Sequence, residues 1–343
     1  MKRWLKSTAL VLSLALLALP MAACGNGKTG GEAKPSEAAS GGAEGGKTFK
    51  IGIMPKLMGI PYFEQTGEGA IKAGKDLGVD VVYNGPTKAD AAEQVKMMED
   101  WINSGVNAIA IAPNDSAAVA PAIKKAKDAG IIVLDWDTPS GSPDISASVH
   151  QIDDKVLGEQ LFDNLVKAMG TDSADYAIVT GGLSAENLNT WIDYGTEYAK
   201  TKYPNLKLVT DKIPSDEQQQ LAYTKTLDLL KAYPSIKGII GYSTVAPLGV
   251  AQAVREKGLQ DKVAVVGTAV EGDSKDFLSD GSLDVATLWN TQNLGYLTVG
   301  VAKALLEGQK LENGMEIQGF GKIEVKEDGK TVIMGPPDNY VKQ

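Results

Sequence analysis

With a single cysteine and a single histidine among its 343 residues, this chain has few of the groups on which most metal and nucleophile chemistry depends. Cys24 has no partner for an intrachain disulfide. His150 alone cannot supply the His and Cys clusters that hold zinc, nor the Cys-His and Ser-His-Asp sets that activate a nucleophile. There is no G-x-S-x-G elbow, and "GYSTV" lacks the closing glycine. Basic residues are outnumbered, 34 against 43 acidic, and the formal charge of −9 removes the positive footprint that nucleic-acid phosphates require. Neither a nucleic-acid partner nor a cofactor is expected. What the chain does have is 43% hydrophobic residues, 22% charged residues and 38 glycines, an ordinary globular balance with enough length for one large or two medium domains.

The N-terminus points to export. "MKRWLK" is basic, "STALVLSLALLALPMAA" is an apolar run that ends in small residues, and Cys24 follows at once. Met21-Ala22-Ala23-Cys24 resembles the lipobox of bacterial lipoproteins, with Met where that motif prefers Leu. The resemblance implies cleavage after residue 23 and a lipid on Cys24; a plain signal peptide with a free thiol is the alternative. Loss of Lys2, Arg3 and Lys6 with the signal takes the charge from −9 to −12. Residues 24–48 are mostly Gly, Ala, Ser, Glu and Lys, too poor in apolar surface to offset ordering entropy, and read as a flexible tether. Within the tether, "GGAEGGKT" at 41–48 satisfies the phosphate-loop spacing G-x-x-x-x-G-K-[ST]. A working loop of that kind follows a buried strand and opens a helix, whereas here the first strand comes after it, so the match is read as an accident of composition.

From residue 49 apolar runs alternate with helical patterns: "FKIGIMP", "VDVVYNGP", "AIAIAP" and "IIVLDWD" are separated by stretches such as "AAEQVKMMEDWINSG", whose Val95, Met98, Trp101 and Ile102 share one stripe ending at Gly105. Strands apolar on both faces with helical crossovers predict parallel, doubly wound α/β sheets. The series repeats after "DDKVLGEQLFDNLVKAMG", through "DYAIVTGG", "LKLVTDKIP", "IKGIIGYS", "VAVVGTAV" and "LDVATLW", so two Rossmann-like lobes are expected. Crossings between them are placed near His150–Asp153, Trp289–Thr291 and Gly308–Gly314, forming a three-strand hinge. The boundaries are then 49–150 plus 291–312 for the first lobe and 151–290 plus 313–343 for the second. "EIQGFGKIEVKEDGKTVIM" reads as a terminal hairpin turning at Glu327-Asp328-Gly329.

Ligands of open α/β sheets bind beyond the carboxyl ends of the strands. Those ends carry Lys56; Asn114 and Asp115; Asp135, Trp136 and Asp137; Glu186, Asn187 and Asn189; Ser243 and Thr244; Glu271; and Trp289 with Asn290. Amides, carboxylates, a lysine and indoles suit a small polyhydroxylated ligand, whose hydroxyls both donate and accept and whose C–H face lies on an aromatic ring. Each has a plainer alternative. Asp115 precedes a helix and is read as its cap, while Asp137 precedes Thr138-Pro139 and is read as a ligand group. Lys56 could be a solvated surface lysine, and Trp136 and Trp289 could be core. Trp191 is assigned to helix packing and His150 to the hinge or surface. The Asp135–Asp137 pair could serve glycoside hydrolysis, but nothing is shown opposite it, and the chain is read as a binding protein and not an enzyme.

"FKIGIMPKLMGIPYFEQTGEGAIKAGKDLGVDVVYNGPT", "GVNAIAIAP", "AGIIVLDWDTP" and "ATLWNTQNLG" resemble the periplasmic binding protein superfamily of ribose type. The likeness runs from about residue 49 to the end and is nearest the branch that binds autoinducer-2 or rhamnose-like sugars for ABC importers. It implies two lobes, capture by hinge closure, delivery to a membrane permease, and a lipid-anchored monomer outside the cytoplasm. In autoinducer-2 binders a lysine after the first strand and an aspartate after the fourth-strand tryptophan hold the ligand; Lys56 and Asp137 match them. Their second-lobe Asp-Gln pair stands here as Asn187-Leu188, their Pro and Ala as Tyr242 and Thr244, and their "LWD" as "LWN" with Asn290. With Tyr62, Trp136 and Trp289 these complete the expected ligand set. The neutral second lobe favours a rhamnose- or pentose-like monosaccharide, with autoinducer-2 as the alternative. A ligand-presenting receptor for a membrane sensor kinase would use the same fold.

Overall fold

A computed structural model describes residues 48–342. The expected signal segment, Cys24 and nearly all of the tether with its phosphate-loop word lie outside them. The first series is β1 (Lys50–Met54), α1 (Pro61–Leu77), β2 (Asp80–Tyr83), α2 (Ala91–Ser104), β3 (Ala108–Ile111), α3 (Ser116–Asp128), β4 (Ile132–Trp136) and β5 (Ala147–His150). The second runs α4 (Asp154–Met169), β6 (Asp175–Thr180), α5 (Glu186–Lys202), β7 (Lys207–Leu208), β8 (Ile213–Pro214), α6 (Gln219–Ala232), β9 (Gly238–Gly241), α7 (Ala246–Glu256), β10 (Ala264–Thr268), α8 (Glu271–Asp280) and β11 (Val285–Leu288). The chain ends with α9 (Thr291–Leu306), β12 (Glu316–Ile317), β13 (Gly321–Lys322), β14 (Glu324–Val325), β15 (Thr331–Ile333) and β16 (Asp338–Val341).

Two sheets result, ordered β14-β15-β5-β4-β3-β1-β2 and β16-β11-β10-β9-β6-β7, with β8 also paired to β6. All pairings are parallel except at β14–β15, β11–β16 and the small β12–β13 hairpin. The local signals operate as expected. Asp90 caps α2 by accepting from the Ala92 and Glu93 amides, Gly105 closes it in the left-handed conformation, and Met98 and Trp101 are buried on its inner face. Asp115 caps α3 through the Ala118 amide.

The sheets exchange chain at three places. β5 leaves the first sheet for α4, which packs against the second, and β11 leaves the second for α9, which packs on α1 and the first. The third passage departs from expectation. Gly308 and Gly314 are left-handed turn residues (φ 77° and 82°) that do not carry the chain across. The β14–β15 hairpin turns at Glu327-Asp328-Gly329 as read, yet β15 runs parallel beside β5, with Val332 opposite Val149. Of the tail that the sequence pattern gives to the second lobe, β14 and β15 therefore belong to the first sheet and only β16 to the second. The passage lies at Gly335-Pro336-Pro337, where two prolines lack the N–H groups that would continue a ladder.

At the first crossing His150 Nε2 lies 2.9 Å from Ser148 Oγ, and Nδ1 lies 3.3 Å from Asp154 Oδ2. Burial opposes charge on this ring, but the hydrogen bond and charge of Asp154, with Asp135 and Asp137 behind, outweigh it and raise its pKa above the ordinary value. Stabilisation by the protonated ring is thus complete below the unfolded-state value of about 6.5 and is lost as pH rises through the higher folded-state value. The melting temperature of the wild type is expected to fall more steeply than that of His150→Gln above about pH 6.5. Parallel melting curves would contradict the assignment.

Candidate functional site

The carboxyl ends of the two sheets face each other and close on a narrow cavity of about 30 Å³, room for a water or two with the lobes in this arrangement. From the first sheet, Lys56 follows β1, Tyr62 and Phe63 open α1, and Asp137 follows β4. Pro61 at the first helical position fixes the entry to α1 and hence the place of Tyr62. The Lys56 turn is braced from behind. The buried Gln94 amide donates to the Pro55 and Ala112 carbonyls and accepts from the Asn114 amide, and Asn114 Nδ2 donates to the Lys56 carbonyl at 2.7 Å.

Asp137 is the centre of the first-sheet wall. Tyr62 Oη donates to its Oδ1 at 2.6 Å, Thr138 Oγ1 to its Oδ2 at 3.1 Å, and Lys56 Nζ lies 3.7 Å from Oδ2. Burial, and then the Asp137 charge, push the Tyr62 phenol well above its ordinary pKa, so it remains a donor. Lys56 Nζ also donates to Asn187 Oδ1 at 2.9 Å, a direct link between the two walls. Trp289 Nε1 donates to Tyr62 Oη at 3.1 Å, and its ring meets those of Tyr62 and Trp191 edge-on, with centroids 6.0 and 5.8 Å away. Polar groups converge beside an aromatic wall, the arrangement that receives a ring with hydroxyls at its edge and C–H on its face.

The backbone marks the same place. Among the described residues four non-glycine residues have positive φ: Asp137 (62°), Asp216 (51°), Glu217 (57°) and Ser243 (83°). Three line the cavity and the fourth adjoins one of them. Such conformations cost about 1–3 kcal/mol each and persist where the surrounding structure enforces them.

Of the expected ligand residues, the cavity brings together Lys56, Tyr62, Asp137, Asn187, Thr244 and Trp289. It leaves out three. Trp136 is fully buried, its indole N–H donating to the Met54 carbonyl at 3.2 Å, because alternation along β4 turns it into the core against Phe63. Tyr242 is also fully buried: its amide continues the ladder to Val179, and the turn that exposes side chains to the cavity comes one residue later, at Ser243. Asn290 is exposed and caps α9 by accepting from the Asn293 amide at 2.8 Å. Trp191, assigned to packing, lines the cavity and donates from Nε1 to Asp154 Oδ1 at 2.6 Å. Glu217 and Thr268, which the strand-end pattern does not single out, also line it. The run "LKLVTDKIP" looks like one strand and hides the signal for Glu217: it forms the two short strands β7 and β8, and β8, ending at Pro214, puts Ser215 to Glu217 on the carboxyl edge.

A family model described as a periplasmic binding protein domain matches residues 51–310. The chain belongs to this family. Among relatives of this periplasmic binding protein, the ribose import binding protein RbsB of Bacillus subtilis (strain 168) is 25% identical over 268 residues, covering 78% of this chain and 84% of its own. LsrB from Clostridium saccharobutylicum, solved in complex with AI-2, aligns with a TM-score of 0.81 and 28% identity over 85% of this chain and 97% of that one. An ABC transporter solute binding protein from Clostridium phytofermentas with bound L-rhamnose aligns with a TM-score of 0.79 and 29% identity, covering 86% and 96%. The two-lobed α/β architecture expected of the sequence is the one they share. These relatives bind solutes and are not enzymes, and this periplasmic binding protein is likewise a solute-binding protein.

Proposed function

We propose that this binding protein captures a small neutral sugar, a rhamnose- or pentose-like monosaccharide, outside the cytoplasm and delivers it to the permease of an ABC importer. The observation that carries the reading is the cavity itself: Asp137, with Lys56 and Tyr62 locked to it, faces Asn187 and Thr244 across a small space walled by Trp289 and Trp191. The ribose, rhamnose and AI-2 named for the relatives are all small polyoxygenated molecules, matched by the polar groups and indoles that line the space between the walls. The likeness to LsrB keeps autoinducer-2 as the second reading. Open lobes bind weakly, and a ligand touching both walls shifts the population toward closure. A lipid on Cys24 would hold the monomer at the membrane; no helix among the described residues is long and apolar enough to cross one.

Thermal unfolding of the purified protein with L-rhamnose, D-ribose, D-arabinose, D-allose and autoinducer-2 tests the reading. A true ligand at a hundred times its Kd stabilises by about 2.7 kcal/mol, a shift of several degrees. At least one aldose is expected to do so. Stabilisation by autoinducer-2 with none by any aldose would replace the sugar by the quorum signal.

A further inference from the structure

Glu217 reaches the cavity by an uncommon backbone route, two adjacent left-handed residues at the end of β8. It is only 7% exposed. Among the described residues the one hydrogen bond to its carboxylate comes from Ser243 Oγ, and no ion pair reaches it. Gly181 makes room for it, since a Cβ there would overlap the Glu217 carboxylate. Thr268 Oγ1, on the same rim, is buried without a partner. Asp137 is the contrast, with Tyr62, Thr138 and Lys56 around it. The cavity therefore holds one ammonium, already engaged by Asp137 and Asn187, and a second carboxylate with no cation of its own. A carboxylate can accept about four hydrogen bonds. One buried with a single donor lacks partners that the occupant must bring.

We propose that Glu217 sets the charge of the ligand: it grips hydroxyl groups of a neutral polyhydroxylated molecule, with Thr268 assisting, and turns away the phosphorylated or carboxylated forms of the same sugars. The inference rests on the sugar-binding reading and adds a selection rule to it. An anion entering the closed space would meet a carboxylate whose charge nothing there balances, in a medium that screens poorly. A hydroxyl donates to that carboxylate without such a penalty.

Calorimetric titration of the wild type, Glu217→Gln and Thr268→Val decides it, using L-rhamnose, D-ribose and D-arabinose against L-rhamnonate, D-arabinonate and the phosphate ester of ribose. In the wild type, a neutral sugar is expected to bind at least about a hundredfold more tightly than its acid. Glu217→Gln is expected to weaken the neutral sugar about tenfold and to narrow the neutral-to-acid ratio by at least about tenfold. Thr268→Val weakens the neutral sugar and leaves the ratio unchanged. A ratio unaltered by Glu217→Gln, or a wild type that takes the acid as well as the neutral form, overturns the inference while sugar binding stands. Should Glu217→Gln not fold, the wild-type ratio alone decides. Failure of the wild type to bind any of the six would remove the sugar reading and the selection rule with it.

Discussion

Asp137→Asn is expected to lower ligand affinity by about a hundredfold or more and to leave the fold intact. The substitution keeps the shape of the side chain and the left-handed backbone that Asn, like Asp, tolerates, whereas alanine at φ 62° would add strain of its own. What it removes is the charge that balances Lys56 and one of the two oxygens that accept from Tyr62, Thr138 and the ligand, replacing it with an NH2 donor. Losing one member of a buried, hydrogen-bonded charge pair costs about 2–5 kcal/mol in binding, most of it from the partner left without compensation. The outcome is checked by calorimetry with the best-bound sugar, alongside a melting curve without ligand. Unchanged affinity would take Asp137 out of the site.

The second large effect concerns stability. Gly69 of α1 and Gly295 of α9 lie where the two helix backbones touch: a methyl group at Gly69 would overlap the Gln292 carbonyl, and one at Gly295 the Thr66 carbonyl. Backbone cannot rotate aside as a side chain can, so the helices must part. Gly295→Ala is expected to destabilise by about 3–5 kcal/mol, beyond the usual overpacking range because two main chains are forced apart. In a protein of this size that is a fall of about 5–8 °C in melting temperature. Affinity should fall with it, because α1 carries Tyr62 and α9 follows Trp289. A melting temperature within about 2 °C of the wild type would show that the helix contact is looser than described.

Much of this molecule is legible in its sequence, and the parts that are not share a physical cause. Apolar strands between amphipathic helices gave away the two parallel sheets, since burial on both faces leaves a continuous pattern. "ASVH" is too short and too polar to announce β5 in the sequence; Ser148 is inside the fold because it donates to the buried Asp135. The third crossing lies later than the sequence suggests because glycines at 308 and 314 look like a passage but serve as turns, while partnership between β15 and β5 is a long-range event that no local pattern announces. At the candidate site, the strand-end rule points to Lys56, Asp137, Asn187 and Thr244, which line the cavity. It could not say which of two neighbours points inward. Trp136 and Tyr242 lost that choice to Asp137 and Ser243, whose positive φ turns the chain at the last moment. Asn290, with a helix directly after it, was better used as a cap.

The central claim is that the paired strand ends close around one neutral sugar. A crystal structure grown with the tightest-binding sugar of the panel tests it most directly. The account predicts density for a single ring in the cavity, edge-on to Asp137 and Lys56, against Trp289, with Glu217 and Thr268 on the far side. An unoccupied cavity beside sugar bound elsewhere on the protein would contradict it.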